Sequence, residues 1–221
     1  MKLMLSALVK FTVGLVAIGI LLFLPAGGFS YPGGWLFLSL LFIPMLIMGI
    51  VLLIKSPELL KKRLNGREKE STQKGVLTLS GLIFPAGFIV SALDHRFAWS
   101  QIPMWGTVTA SLLFLFGYGL YAKVMAENAY LSRTIEVQEG QKVISTGTYG
   151  IVRHPMYLAT LFMFLPMPII LGSYFGLIPF AFYPLVIVIR ILNEEKVLTH
   201  ELNGYAEYKE KVKYRLIPFI W

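Results

Sequence analysis

The sequence predicts an all-α integral membrane protein of about six transmembrane helices, the last two forming a C-terminal helical hairpin. Three observations predict it. Hydrophobic residues make up 56% of the 221 residues and charged residues 14%, with a mean hydropathy of +0.69; a soluble domain carries about 25% charged residues. Apolar runs approaching the length that crosses a hydrocarbon core recur along the chain. The net charge of +8, from 20 Lys+Arg against 12 Asp+Glu, collects in alternate loops. This combination excludes a disordered chain and a nucleic-acid binder, which would be as basic but not as apolar. Cysteine is absent, which excludes disulfides, thiol nucleophiles and Cys-based metal sites. His95, His154 and His200 are too scattered for a short metal-ligand motif, and no metal is expected.

The apolar segments fall at about 3–24, 35–54, 76–93, 102–126, 156–171 and 174–192. The first is too long for a signal-peptide core, which runs about 7–15 residues, and no small-residue cleavage site follows it; it is expected to be a retained span. Only Gly172-Ser173 separates the fifth from the sixth. Pro166 and Pro168 interrupt the fifth, and Pro179 and Pro184 interrupt the sixth. This predicts a tight hairpin of broken helices, a form tolerated where helices line an enclosed or watery cavity.

The loops set orientation. Lys55, Lys61, Lys62, Arg63, Arg67, Lys69 and Lys74 fill the second loop, 55–75. Arg133, Lys142 and Arg153 lie in the fourth, and Lys196, Lys209, Lys211, Lys213 and Arg215 in the tail. The first and fifth loops have no Lys or Arg, and the third has only Arg96. The basic side faces the cytoplasm, which puts both termini there. Lys10 and Lys123 lie near inner span ends and can snorkel. The mixed charges of the second loop predict a solvated helix against anionic headgroups. Glu127 and Glu194 sit at inner span ends and Asp94 at an outer one, leaving no mid-span carboxylate for a proton-coupled transporter.

Residues with chemical potential gather around segments four to six. Glu127 and Asn128 end segment four, and a polar loop, 132–150, closes on Gly147-Thr148-Tyr149-Gly150. Arg153-His154-Pro155-Met156-Tyr157 follows, and Arg190 with Glu194-Glu195 ends segment six. Pro155 suits a first helical turn. Arg153 and His154 then stand at a helix mouth whose free N–H groups favour an anion, with Tyr157 one turn further in. Arg190 and Glu194 share a helix face at i,i+4, in the order that gains less from the helix dipole. Arg190 therefore either pairs with Glu194 or meets an anionic ligand. Glu195, about 100° further round, is expected to be solvated on spacing alone.

The run Gly147-Thr148-Tyr149, Arg153-His154-Pro155-Met156-Tyr157, an apolar hairpin, then Arg190 with Glu194-Glu195, resembles the isoprenylcysteine carboxyl methyltransferase family. Tyr205, Tyr208 and Arg215-Leu216-Ile217-Pro218 also fit. The resemblance covers roughly 127–221, and the chain looks like a bacterial branch of these integral membrane enzymes. It implies a cytoplasmic pocket for S-adenosylmethionine contacted by Gln141, Ile144, Gly147, Tyr149, His154, Pro155, Met156, Tyr157, Glu194 and Glu195. Arg190 and Arg153 would meet the methyl acceptor. Arg190, Glu194 and His154 would be the catalytic residues, with Glu194 or His154 as base for an amine or phenol and neither needed for a carboxylate. The strict G-x-G of related phospholipid methyltransferases is absent, which points away from a phospholipid acceptor.

The implied partition is a membrane region, 1–126, and a methyltransferase region, 127–221, containing the hairpin 155–193. The implied partners are a bilayer, expected to be the bacterial inner membrane, and a lipophilic acceptor. Two rival classes stand beside this one. A nicotinamide-dependent reductase on the same scaffold is suggested by Arg215-Leu216-Ile217-Pro218, which resembles the end of membrane sterol reductases. A non-enzymatic membrane subunit is the other.

Overall fold

Proline starts more helices here than it ends. Pro32, Pro57, Pro155 and Pro184 each occupy the first or second position of a helix, where a missing N–H costs nothing. The structure, a computed structural model, describes residues 2–65, 71–132 and 137–221, without the side chains of 71–74, 76 and 77. Among the described residues it is all-helical. The long helices are α1 (Lys2–Ala26), α2 (Pro32–Lys55), α4 (Ser71–Phe97), α5 (Met104–Glu127) and α9 (Tyr183–Glu201); shorter ones are α3 (Pro57–Leu64), α6 (Pro155–Phe164), α7 (Met167–Ile170), α8 (Leu177–Phe180) and α10 (Tyr205–Lys211).

Five stretches are long and apolar enough to cross a membrane: Lys2–Ala26, Pro32–Lys55, Thr78–Phe97, Met104–Glu127 and Leu177–Glu201. The expected fifth span is not one of them. Pro155–Ile170 is apolar but short, about 24 Å at helical rise against a core of about 30 Å. The cause is the proline pair: α6 stops at Phe164, and Pro166 and Pro168 open the single turn α7. α6 packs most extensively against α5.

Phe37, Phe88, Phe114 and Phe180 form the middle of the core with Leu22, Ile170 and Leu171. Phe84 meets Phe164, Phe180 and Tyr183 edge to face, the arrangement that aromatic quadrupoles favour. Close helix approach needs missing side chains. A Cβ on Gly117 of α5 would stand 2.9 Å from the Ala159 carbonyl oxygen of α6, and one on Gly87 would stand 2.2 Å from the Phe180 ring.

One end of the bundle is tied by Asp94, fully buried in the last turn of α4. Its carboxylate accepts bonds from the Ser100 N–H at 2.7 Å, the Ser100 hydroxyl at 2.6 Å and the Ser173 hydroxyl at 2.5 Å. Beside it Tyr31 stacks on His95 and donates to the Leu171 carbonyl at 2.7 Å. Asp94, α8 and the chain reversal at 171–176 are thereby fixed, and α9 returns toward the opposite end.

Gly117→Ala forces α5 and α6 apart and is expected to cost about 1–3 kcal/mol. Gly119→Ala, where a Cβ meets nothing within 4 Å, is the control; thermal unfolding of both variants in detergent measures the difference.

Candidate functional site

The opposite end of the bundle holds a cavity of about 860 Å³. Leu41, Met45, Met48 and Leu52 of α2, Phe84 of α4 and Met163 of α6 line an apolar limb. Gln141, Lys142, Ile144, Tyr149, His154, Met156, Tyr157, Arg190 and Glu194 line a polar one. The residues expected at a site therefore share one cavity, except Gly147, Pro155 and Glu195, which do not line it.

Each exception has a structural position. Gly147 opens the 3₁₀ turn Gly147–Gly150 with φ +62°, and a Cβ there would stand 2.5 Å from the Glu127 carboxylate. That carboxylate accepts from both the N–H and the hydroxyl of Thr148, at 2.8 and 2.5 Å. Glu127 thus pins the turn to the end of α5, and the Asn128 amide donates to the Tyr149 hydroxyl at 3.0 Å. Pro155 is buried in the first turn of α6, with His154 as N-cap.

Glu195 corrects the sequence expectation most. It is not solvated but 4% exposed. One carboxylate oxygen accepts from Arg153 Nε at 2.7 Å and lies 3.3 Å from His154 Nε2. The other accepts from Arg215 Nε at 2.9 Å. Arg153, expected to meet an acceptor, is itself buried, and its Nη1 donates to the Val212 and Lys213 carbonyls. The Arg153 and His154 N–H groups donate to the Tyr214 and Arg215 carbonyls at 2.9 and 2.8 Å. Arg153 therefore clamps the tail onto the start of α6, and the His154 N–H is not free for an anion.

Arg190 and Glu194 lie on one face, as their spacing predicts, but Tyr157 stands between them. Its hydroxyl donates to Glu194 at 2.5 Å and accepts from Arg190 Nε at 2.8 Å. The three form a chain running from α6 to α9 along the cavity wall. Tyr183 donates to the Thr160 hydroxyl at 2.9 Å and extends the same wall.

Three tyrosines outside the spans close the polar limb. Tyr208 donates to the Tyr149 carbonyl at 2.7 Å. Tyr205 is 4% exposed and lines the cavity, and its hydroxyl has no hydrogen-bond partner among the described residues. Burial pushes the phenols of Tyr149, Tyr205 and Tyr208 well above their ordinary range, so all three remain neutral donors. A buried polar atom without a partner costs free energy.

Arg63 was expected on a solvated helix. It lines the cavity instead. Leu59 and Leu60 of α3 are buried, and Arg63 and Leu64 follow Leu60 at i,i+3 and i,i+4, the same face. That spacing was the available signal. Lys10 of α1 donates to the Leu64 carbonyl at 2.5 Å and holds the end of α3. Arg67, Glu68, Lys69, Glu70 and Arg133 lie outside the described residues, as does the Lys74 side chain.

A membrane-embedded helical bundle with one bipartite cavity is thus the class that fold and site define. A family model described as phospholipid methyltransferase matches residues 105–204, although the strict G-x-G is absent. The chain is also 31% identical over 93 residues to the Delta(14)-sterol reductase TM7SF2 of Mus musculus, covering 40% of this chain and 22% of that protein. It is 24% identical over 141 residues to the Delta(14)-sterol reductase of Methylotuvimicrobium alcaliphilum, covering 55% of this chain and 32% of that protein. The chain therefore spans less than a third of the length of these curated relatives.

Glu195→Gln leaves Arg153 and Arg215 without their countercharge. The expected loss is about 3–5 kcal/mol, the cost of breaking a buried pair on one side. Glu194→Gln, on the cavity side, is expected to lose much less; denaturant unfolding in micelles compares the two.

Proposed function

We propose that the protein is an integral membrane methyltransferase that uses S-adenosylmethionine and a lipophilic acceptor. One observation carries this: a single cavity joins the polar motif residues to an apolar limb walled by α2, α4 and α6. The phospholipid methyltransferase match over 105–204 supports it. The donor set fits the cofactor. Gln141, Ile144, Tyr149, His154, Met156, Tyr157 and Glu194 would hold it. When bound, it supplies a methyl group on a cationic sulfur, ready for in-line displacement.

The chain's own task is alignment and the exclusion of water. Arg190, held by Tyr157, would orient an acceptor carboxylate, which is ionised at pH 7 and needs no base. For an amine or phenol, Glu194 or His154 would take the proton. The lipid acceptor would enter through the apolar limb and the cofactor through the polar mouth. Arg63 of α3 and Lys142 of the 141–149 loop line this cavity, and their positive charge supports a cytoplasmic orientation. We read this membrane as a bacterial inner membrane.

A second reading, a nicotinamide-dependent reductase, is favoured by the two sterol reductase relatives. Titrating the purified protein with S-adenosylhomocysteine and with NADPH separates the two.

Glu194→Ala is expected to weaken S-adenosylhomocysteine binding by about tenfold or more, measured by calorimetry; unchanged affinity removes Glu194 from the cofactor site. Arg190→Ala is expected to abolish labelled-methyl transfer to extracted lipids and prenyl acids while cofactor binding persists. Tyr205→Phe leaves the unliganded protein as stable as before, or slightly more so. Thermal unfolding of the purified variant in detergent checks this, since removing a buried unpaired hydroxyl removes its desolvation cost.

A further inference from the structure

We propose that Arg63 is a specificity-determining residue that binds an oxyanion on the methyl acceptor, a phosphate or a carboxylate, from the α3 wall of the cavity. The proposal rests on the methyltransferase reading and adds a residue outside the motif region and outside the family match at 105–204.

Placement comes first. Arg63 is half-buried, lines the cavity and lies on the α3 face shared with buried Leu60. Its Nη1 donates to the Ser132 carbonyl at 3.1 Å, its Nη2 donates to the Tyr121 hydroxyl, and its guanidinium sits 5.4 Å from the Tyr121 ring centre. These partners are neutral. Among the described residues no carboxylate forms an ion pair with it. A half-buried guanidinium gains from a countercharge, and a ligand oxyanion in the cavity would supply one.

Charge balance points the same way. Among the described lining residues, Arg63, Lys142, Arg153 and Arg190 are Lys or Arg, and Glu194 is acidic. Glu195, behind the wall, neutralises Arg153. The remaining wall is net positive, and the proposed cofactor brings a further positive charge on its sulfur. A cationic acceptor would add to this imbalance, whereas an anionic one relieves it. Arg63 borders the apolar limb, next to Leu60 and Leu64, while the residues assigned to the cofactor belong to the 141–149 loop, α6 and α9. The planar fork of arginine suits phosphate and carboxylate alike.

The test uses the full chain in dodecyl maltoside micelles, with calorimetric titration of dodecyl phosphate, dodecanoate and dodecanol. The wild-type protein is expected to bind at least one anion saturably and dodecanol weakly. Arg63→Ala is expected to lose about tenfold or more of the anion affinity, Arg63→Lys less, and both should bind S-adenosylhomocysteine as wild type does. Retained cofactor binding shows that a variant is folded; if Arg63→Ala does not fold, Arg63→Gln replaces it. The stronger of the two anions identifies the headgroup chemistry. Equal anion binding by Arg63→Ala, no anion binding by wild type, or loss of S-adenosylhomocysteine affinity in place of anion affinity overturns the proposal. So does an Arg63-dependent preference for NADPH over NADH, which would assign the residue to a cofactor phosphate. Failure of wild type to bind S-adenosylhomocysteine while the Arg63-dependent anion site persists overturns the methyltransferase reading and leaves the anion site standing.

Discussion

The carboxylate of Glu195 is the interaction on which the rest of this end of the molecule depends. It joins α9, the start of α6 and the tail through Arg153, His154 and Arg215. Arg153 and the carboxylate are brought together where little water can reach them, with Arg215 partly exposed beside them. Such a group is tolerable only with its hydrogen bonds filled, and here they are: Arg153 also takes two tail carbonyls. The consequence is positional. His154 is fixed as the N-cap of α6, so Tyr157 falls one turn further in and reaches both Arg190 and Glu194.

Two adjacent glutamates therefore do opposite jobs. Glu195 points into the protein and holds the wall together; Glu194 lines the cavity and accepts from Tyr157. The helical step of about 100° separates the roles. The Asp94 cluster plays the same structural part at the other end of the bundle, where it fixes the chain reversal that returns α9 to the site. Between these two polar ties lies the phenylalanine-rich core, and the cavity opens beside it.

The long apolar helices were legible because hydrophobic run length is a local property; the fifth segment is shorter in the structure because Pro166 and Pro168 divide it within an otherwise apolar run. That most of the motif residues would share one cavity was legible too, because motif spacing and helical faces are local. The Arg190–Glu194 face followed from i,i+4, but the Tyr157 bridge did not, since it links residues more than thirty positions apart. Glu195, expected to be solvated, and Arg153, expected at an acceptor, are both buried for the same reason: their pairing partners are distant in sequence. Arg63 was hidden by composition. A run of lysines and arginines reads as a surface, and only its register against Leu60 marks it as facing inward.

The bipartite cavity has a physical logic for the proposed chemistry. Transfer of a methyl group from a cationic sulfur to an anionic oxygen consumes two opposite charges and yields neutral products. In water both charges are well solvated and the reaction gains little from their attraction; in a medium of lower effective dielectric that attraction is larger. Removing water thus favours an anionic acceptor over a neutral or cationic one, provided the anion can be drawn out of the bilayer surface. For that chemistry the apolar limb would supply the dry surroundings, and the cationic side chains on both walls, Arg63 on α3 and Arg190 on α9, would supply the attraction. Each would be costly without the other: an apolar cavity alone would reject the anion, and arginines alone would hold it in hydrated form.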